Sequence, residues 1–130
     1  MDNLRLRNML STMTRGSELT IPHVEYDLKI TFSLEGKFSL IAHTKDGKAC
    51  STSGGYTSLR DFVAMTMYYF QPKPGHTYQH INGNTYKVLH IANEGSLRPE
   101  YPPSVVYQGS NGAVWVKPME NFMRKMKRIK

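Results

Sequence analysis

Val24-Glu25-Tyr26-Asp27-Leu28-Lys29-Ile30-Thr31-Phe32-Ser33-Leu34 alternates apolar and polar side chains over eleven residues. A period of two sends successive side chains to opposite faces of a pleated strand, so this stretch reads as a strand with one buried and one wet face. Working forward, Glu35-Gly36 turns the chain, and Lys37–Thr44 answers as a second strand with Phe38, Leu40 and Ala42 inward. Asp46-Gly47 is a strong hairpin signal, and Lys48–Ser53 follows as a short third strand. Working backward, Asp2 or Asn3 caps a helix that ends near Gly16, with Leu6, Met9, Leu10 and Met13 at helical spacing.

Ser53-Gly54-Gly55-Tyr56 is expected to break the sheet, and Thr57 or Ser58 to cap a second helix reaching about Phe70. Gln71-Pro72-Lys73-Pro74-Gly75 ends that helix and marks a boundary between subdomains. Beyond it the chain reads as short strands: Thr77–Ile81, an Asn82-Gly83 turn, Thr85–Ala92, a loop over 93–103, Ser104–Tyr107 and Ala113–Val116. Pro118 is placed to start a helix. The expected class is α+β. An N-terminal αβββα unit (1–71) precedes a small barrel (72–123) with a short C-terminal helix, and 124–130 form a basic tail.

The chain has 130 residues and a formal net charge of +7, with a sequence pI near 9.6. Arg124, Lys125, Lys127, Arg128 and Lys130 fall in the last seven residues, which contain no acid; without them the net charge drops to +2. The basicity is thus concentrated at one end. Cys50 is the single cysteine, so an intramolecular disulfide is excluded and a reducing, cytoplasmic compartment is expected. The first residues lack a signal-peptide pattern, and no stretch approaches the roughly 18 apolar residues of a membrane span.

The order Tyr78-Gln79-His80, Gly83, Tyr86-Lys87-Val88-Leu89, Ala92, Val105-Val106-Tyr107, Trp115-Val116-Lys117-Pro118, Phe122 resembles a family of small domains of unknown function, number sixteen-fifty-three in that series. The family occurs in bacteria and their phages, and the resemblance covers about Pro74 to Met123. It implies an SH3-like barrel and no reaction. Where family members carry a His-Ser-Glu stretch after the second strand, this chain has Asn93-Glu94-Gly95-Ser96 and a proline-rich insert, so ligand loops do not carry over. The connection from Tyr107 to Trp115 departs as well. The helix–strands–helix order of the N-terminal half is also that of double-stranded-RNA-binding domains, an analogy of topology alone. The start of its second helix, Thr57-Ser58-Leu59-Arg60-Asp61, lacks their lysine run.

For chemistry the inventory is thin. Cys50 has no identifiable base, no serine sits in a nucleophile-elbow pattern, and the carboxylates are scattered. His76 and His80 would share a strand face about 13 Å apart, too far for one zinc. No enzyme, cofactor or metal is expected. Met119, Phe122, Met123, Met126 and Ile129 share one stripe if the C-terminal segment is a continuous helix, with the cations mostly off it. Such a helix can contact phosphates, an anionic surface or an acidic groove. The Gly54–Ser58 turn reads as a plain strand-to-helix connection, with Arg60 able to assist an anion there.

The expected function is therefore non-catalytic binding of a polyanion, meaning DNA, RNA or a nucleotide. Arg5, Arg7, Arg60, Lys117, Arg124, Lys125, Lys127 and Arg128 are the phosphate candidates, with Tyr107 and Trp115 as aromatic contacts. The alternative is a bacterial or phage-encoded inhibitor, adaptor or particle component that binds a host protein or a second copy of itself.

Overall fold

A computed structural model describes residues 1–130. The protein is α+β, with three α-helices and two antiparallel sheets. The chain divides into two compact units, Asn3–Phe70 and Gln71–Lys130, with Met1–Asp2 grouped with the second. No helix is long and apolar enough to cross a membrane.

In the first unit, α1 (Asn3–Ser11) precedes β1 (Ser17–Pro22), β2 (Tyr26–Phe32), β3 (Phe38–Thr44) and β4 (Cys50–Tyr56), and α2 (Leu59–Met67) closes it with a 3₁₀ turn over Tyr68–Phe70. The strands run in the order β1-β2-β3-β4. The alternation of β2 and β3 is realised: Leu28, Ile30, Phe38, Leu40 and Ala42 are buried, together with Leu6 and Leu10 of α1 and Phe62 and Val63 of α2. Phe32, Phe38 and Phe62 stack in succession, with ring centroids 4.3 and 5.2 Å apart. Removing this apolar surface from water is the main force holding helices to sheet.

The expected αβββα unit has a fourth strand. Ser17–Pro22 is short, and only Ile21 in it is buried, so its own pattern is weak. It becomes a strand because β2 offers a free edge, pairing Leu19 with Ile30 and Ile21 with Leu28. Leu34, expected inward, is 74 % exposed at the tip of the β2–β3 turn, where Gly36 N–H bonds the Ser33 carbonyl.

Gly54 and Gly55 do not break the sheet; they lie within β4. The register shifts between Phe38 and Leu40, and a Cβ on Gly54 would stand 2.7 Å from Ser39 Oγ. Glycine therefore allows the close approach at this bulge. Asp46-Gly47 makes the β3–β4 turn, in which Asp46 Oδ1 accepts from Thr44 Oγ1 at 2.6 Å and from the Lys48 amide at 3.0 Å. Ser58 caps α2, its Oγ accepting from the Asp61 amide at 3.2 Å.

In the second unit, β5 (Thr77–His80), β6 (Thr85–Ala92), β7 (Ser104–Gly109) and β8 (Val114–Pro118) lead into α3 (Met119–Lys125) and β9 (Met126–Arg128). The sheet order is β8-β7-β6-β5-β9. β8 and β9 are its two edges and do not pair, so the closed SH3-like barrel is not formed; the sheet is open, with α3 against one face. Tyr78, Val88, Val105, Tyr107, Phe122, Met123 and Met126 make its core.

The C-terminal end departs furthest from expectation. The helix stops at Lys125, Met126 is extended (φ −116°, ψ 140°), and β9 pairs with β5, setting Arg128 opposite Tyr78 and Lys127 opposite Gln79. Residues 124–130 are thus helix end and strand, not a tail. Met126 reaches the core by strand alternation, while Ile129, which a continuous helix would bury, is part-exposed. The free edge of β5 supplies the reason: its backbone groups need partners, and Ile81 N–H and the Thr77 carbonyl find them at Lys125 and Ile129.

Candidate anion-binding surface

The two units differ sharply in charge. Residues 71–130 carry nine lysines and arginines against the three glutamates 94, 100 and 120, a formal +6. Residues 3–70 carry eight cations against six acids, a formal +2. Two of the latter cations are in ion pairs, Lys29–Glu18 at 3.1 Å and Lys45–Asp27 at 2.7 Å.

Arg5 and Arg7 are exposed on α1, and Arg60 is exposed in the first turn of α2. Asp61 stands beside Arg60, and Ser58 already occupies one of the turn's amides, so this helix start is poorly suited to an anion. These three arginines belong to the N-terminal unit and the other predicted cations to the C-terminal unit.

In the C-terminal unit, Arg124 and Lys125 are exposed in the last turn of α3, where cations oppose the negative end of the helix dipole. Lys127 and Lys130 are exposed just beyond. Arg128 is half-buried opposite Tyr78, and its Nε donates to the Lys130 carbonyl at 3.1 Å. Lys117 lies on β8 opposite Val105, at the far edge of the sheet from β9.

Cross-strand register adds a cation that sequence reasoning missed. Lys127 faces Gln79, which faces Thr85; Lys87 lies two residues beyond Thr85 and faces Gln108. Paired residues share a face, as do residues two apart. Lys127, Gln79, Thr85, Lys87 and Gln108 therefore form one polar band on the face opposite the core. The signal was present in the sequence, since Thr85 and Lys87 alternate with the inward Tyr86 and Val88, but the join to Lys127 needed β9. Thr85, Tyr86, Lys87, Gln108, Gly109 and Ser110 also line a shallow depression.

The aromatic pair divides. Tyr107 is 4 % exposed, its ring against Phe122 at 5.1 Å and Tyr86 at 5.3 Å, so it is a core residue without a face to offer a base. Burial also raises its phenol pKa. Trp115 is 53 % exposed on β8.

His43 and Cys50 face each other across β3 and β4, with His43 Nε2 3.9 Å from Cys50 Sγ and both residues exposed. Sequence reasoning found no base near this thiol, because the two residues meet only through strand pairing. The ring nitrogens of His76 and His80 are used locally: Nδ1 of each accepts a backbone amide, from Lys73 at 3.2 Å and from Asn82 at 3.0 Å.

Residues 76–130 match a family model described as a protein of unknown function, DUF1653. The match includes α3 and β9 and so runs past Met123, where the resemblance read from the sequence ended. No curated protein and no solved structure matches the chain.

Proposed function

We propose that this protein is a non-catalytic, polyanion-binding protein of the bacterial cytoplasm, whose C-terminal unit takes the phosphate backbone of a nucleic acid. One observation carries the reading: Arg124 and Lys125 at the end of α3, Lys127 on β9 and Lys130 just beyond it are all exposed, in a stretch without an acid. Lys87 extends this cationic region onto the polar band. Phosphate contacts of this kind are sequence-independent and release counterions. The band carries no aromatic side chain, which favours backbone contact over base stacking.

The reading is tested by fluorescence polarisation with duplex DNA, single strands and RNA at several salt concentrations. Deleting 124–130 would remove a strand of the sheet, so the fitting variant replaces Arg124, Lys125, Lys127 and Lys130 by glutamine. Binding that weakens with salt is expected, with a log–log slope reduced in the variant by up to about 0.9 per lost contact. Absence of binding at low salt, or an unchanged slope in the variant, overturns the reading.

The second reading, a protein-interaction device of bacterial or phage origin, is favoured by a different observation. One edge strand of the C-terminal sheet, β8, is open and exposes the apolar stretch Val114–Val116.

A further inference from the structure

The two edges of the C-terminal sheet are built differently. β9 carries Lys127 and Arg128, and charge along an exposed edge is a usual means of preventing strand addition. β8 presents Val114, Trp115 and Val116, which are 54, 53 and 61 % exposed. Lys117 and Pro118 close the C-terminal end of β8, so the open apolar stretch is Val114–Val116, and such a stretch is a template for another strand.

The hydrogen-bond phase says which backbone groups are free for it. Gly109 N–H bonds the Ala113 carbonyl, and Met119 N–H bonds the Pro103 carbonyl. Both bonds fit the register that pairs Tyr107 with Trp115 and Val105 with Lys117. In an antiparallel ladder, bonded and non-bonded pairs alternate. Ala113, Trp115 and Lys117 therefore turn their backbone groups toward β7, and Val114 and Val116 turn theirs outward.

We propose that the occupant of this edge is a second copy of the chain. Two β8 strands pair antiparallel about a two-fold axis through Trp115, joining two five-stranded sheets into one. Val114 exchanges both bonds with Val116 of the partner subunit, and Val116 does the same with Val114 of the partner subunit. The axis leaves Trp115 opposite Trp115 of the partner subunit as a non-bonded pair, in which side chains approach most closely.

Neighbouring registers are poorer. A shift toward α3 brings in Pro118, which has no N–H; a shift the other way brings in Gly112, whose N–H already bonds the Gly109 carbonyl. The register through Trp115 also opposes Lys117 to Ala113 of the partner subunit, so no like charges face each other. The assembly stops at two because the far edge of each sheet, β9, is charged.

Three half-exposed side chains are much less than the roughly 800 Å² per partner of a standard interface. The dimer is accordingly weak. Each copy carries a formal +7, so salt screens the mutual repulsion and strengthens the dimer. That is opposite in sign to the salt effect on polyanion binding, from which this inference is independent.

Trp115 is the single tryptophan, which makes the interface its own fluorescent probe. Sedimentation velocity and tryptophan emission are followed from low micromolar to millimolar protein at high salt, without nucleic acid. The mass is expected to rise from 14.9 kDa toward twice that value, with a parallel blue shift. Val116→Pro removes an outward N–H without breaking a β7–β8 bond and is expected to remain monomeric. Val116→Lys, which keeps the backbone intact should the proline variant not fold, is expected to do the same. A wild-type protein that stays monomeric throughout overturns the proposal. So does a dimer that persists undiminished in Val116→Lys.

Discussion

His23 and Tyr69, 46 residues apart in the chain, are joined by a hydrogen bond from His23 Nε2 to the Tyr69 carbonyl. The other ring nitrogen, Nδ1, accepts the amides of Glu25 at 3.0 Å and Tyr26 at 3.3 Å. The proton is therefore on Nε2, and one imidazole both closes the β1–β2 turn and ties it to the end of α2. The ring also packs against Tyr26 and Phe70, at 5.2 and 5.3 Å.

His23→Ala removes these bonds together and is expected to lower stability by about 1–3 kcal/mol. Thermal unfolding measures the loss. Amide exchange gives a sharper readout, because the Glu25 and Tyr26 amides lose their acceptor and should exchange faster. Unchanged protection at both would show that the imidazole does not hold the turn.

Phe122 is fully buried, with Tyr78 edge-on at 4.9 Å and Tyr107 at 5.1 Å. Phe122→Ala leaves a cavity between α3 and the sheet and is expected to destabilise the protein by about 3–5 kcal/mol. Urea unfolding followed by Trp115 emission reports on this unit directly. A loss under about 1 kcal/mol would mean that the sheet collapses onto the gap.

Burial pushes the Tyr78 phenol up to about 12, against a smaller opposing pull from Arg128. The fold favours the neutral phenol, so the unfolded chain releases its proton first. The associated stability is complete below pH 10 and is lost as pH rises through about 12. Two pH units correspond to about 2–3 kcal/mol at most. Urea titrations across this window should show a steeper alkaline loss for wild type than for Tyr78→Phe; parallel losses would contradict the assignment.

Thr66 is fully buried in α2, and its Oγ1 has no hydrogen-bond partner. A buried hydroxyl without a partner is a desolvation penalty with no return. Thr66→Val keeps the shape, and the two residues have similar helix propensity. The substitution is expected to raise stability by about 1 kcal/mol in chemical denaturation. A loss of that size would reveal a polar contact made in solution.

Much of this architecture could be read along the chain. The alternation in Val24–Leu34 and Lys37–Thr44 forecasts β2 and β3 and their buried residues, because strand faces are a property of local periodicity. Asp46-Gly47, Asn82-Gly83 and Ser58 announce their turns and cap through backbone chemistry that needs no distant partner. The cationic end was equally visible as charge.

What tertiary structure alone decided is where unpaired edges find strands. Ser17–Pro22 has little pattern of its own and exists as β1 through β2. Met119, Phe122, Met123 and Met126 satisfy helical spacing, so nothing local halts that helix at Lys125. It halts because extending Met126–Arg128 satisfies the edge of β5, a gain of hydrogen bonds with residues nearly fifty positions earlier. The same pairing placed Lys127 in line with Lys87, while the β6–β7–β8 pairings set Tyr107 inside the sheet and left β8 at its other edge. Composition and periodicity therefore determined which residues carry charge and which prefer the core. Long-range strand pairing, whose partners are not adjacent in sequence, decided which of them share a surface.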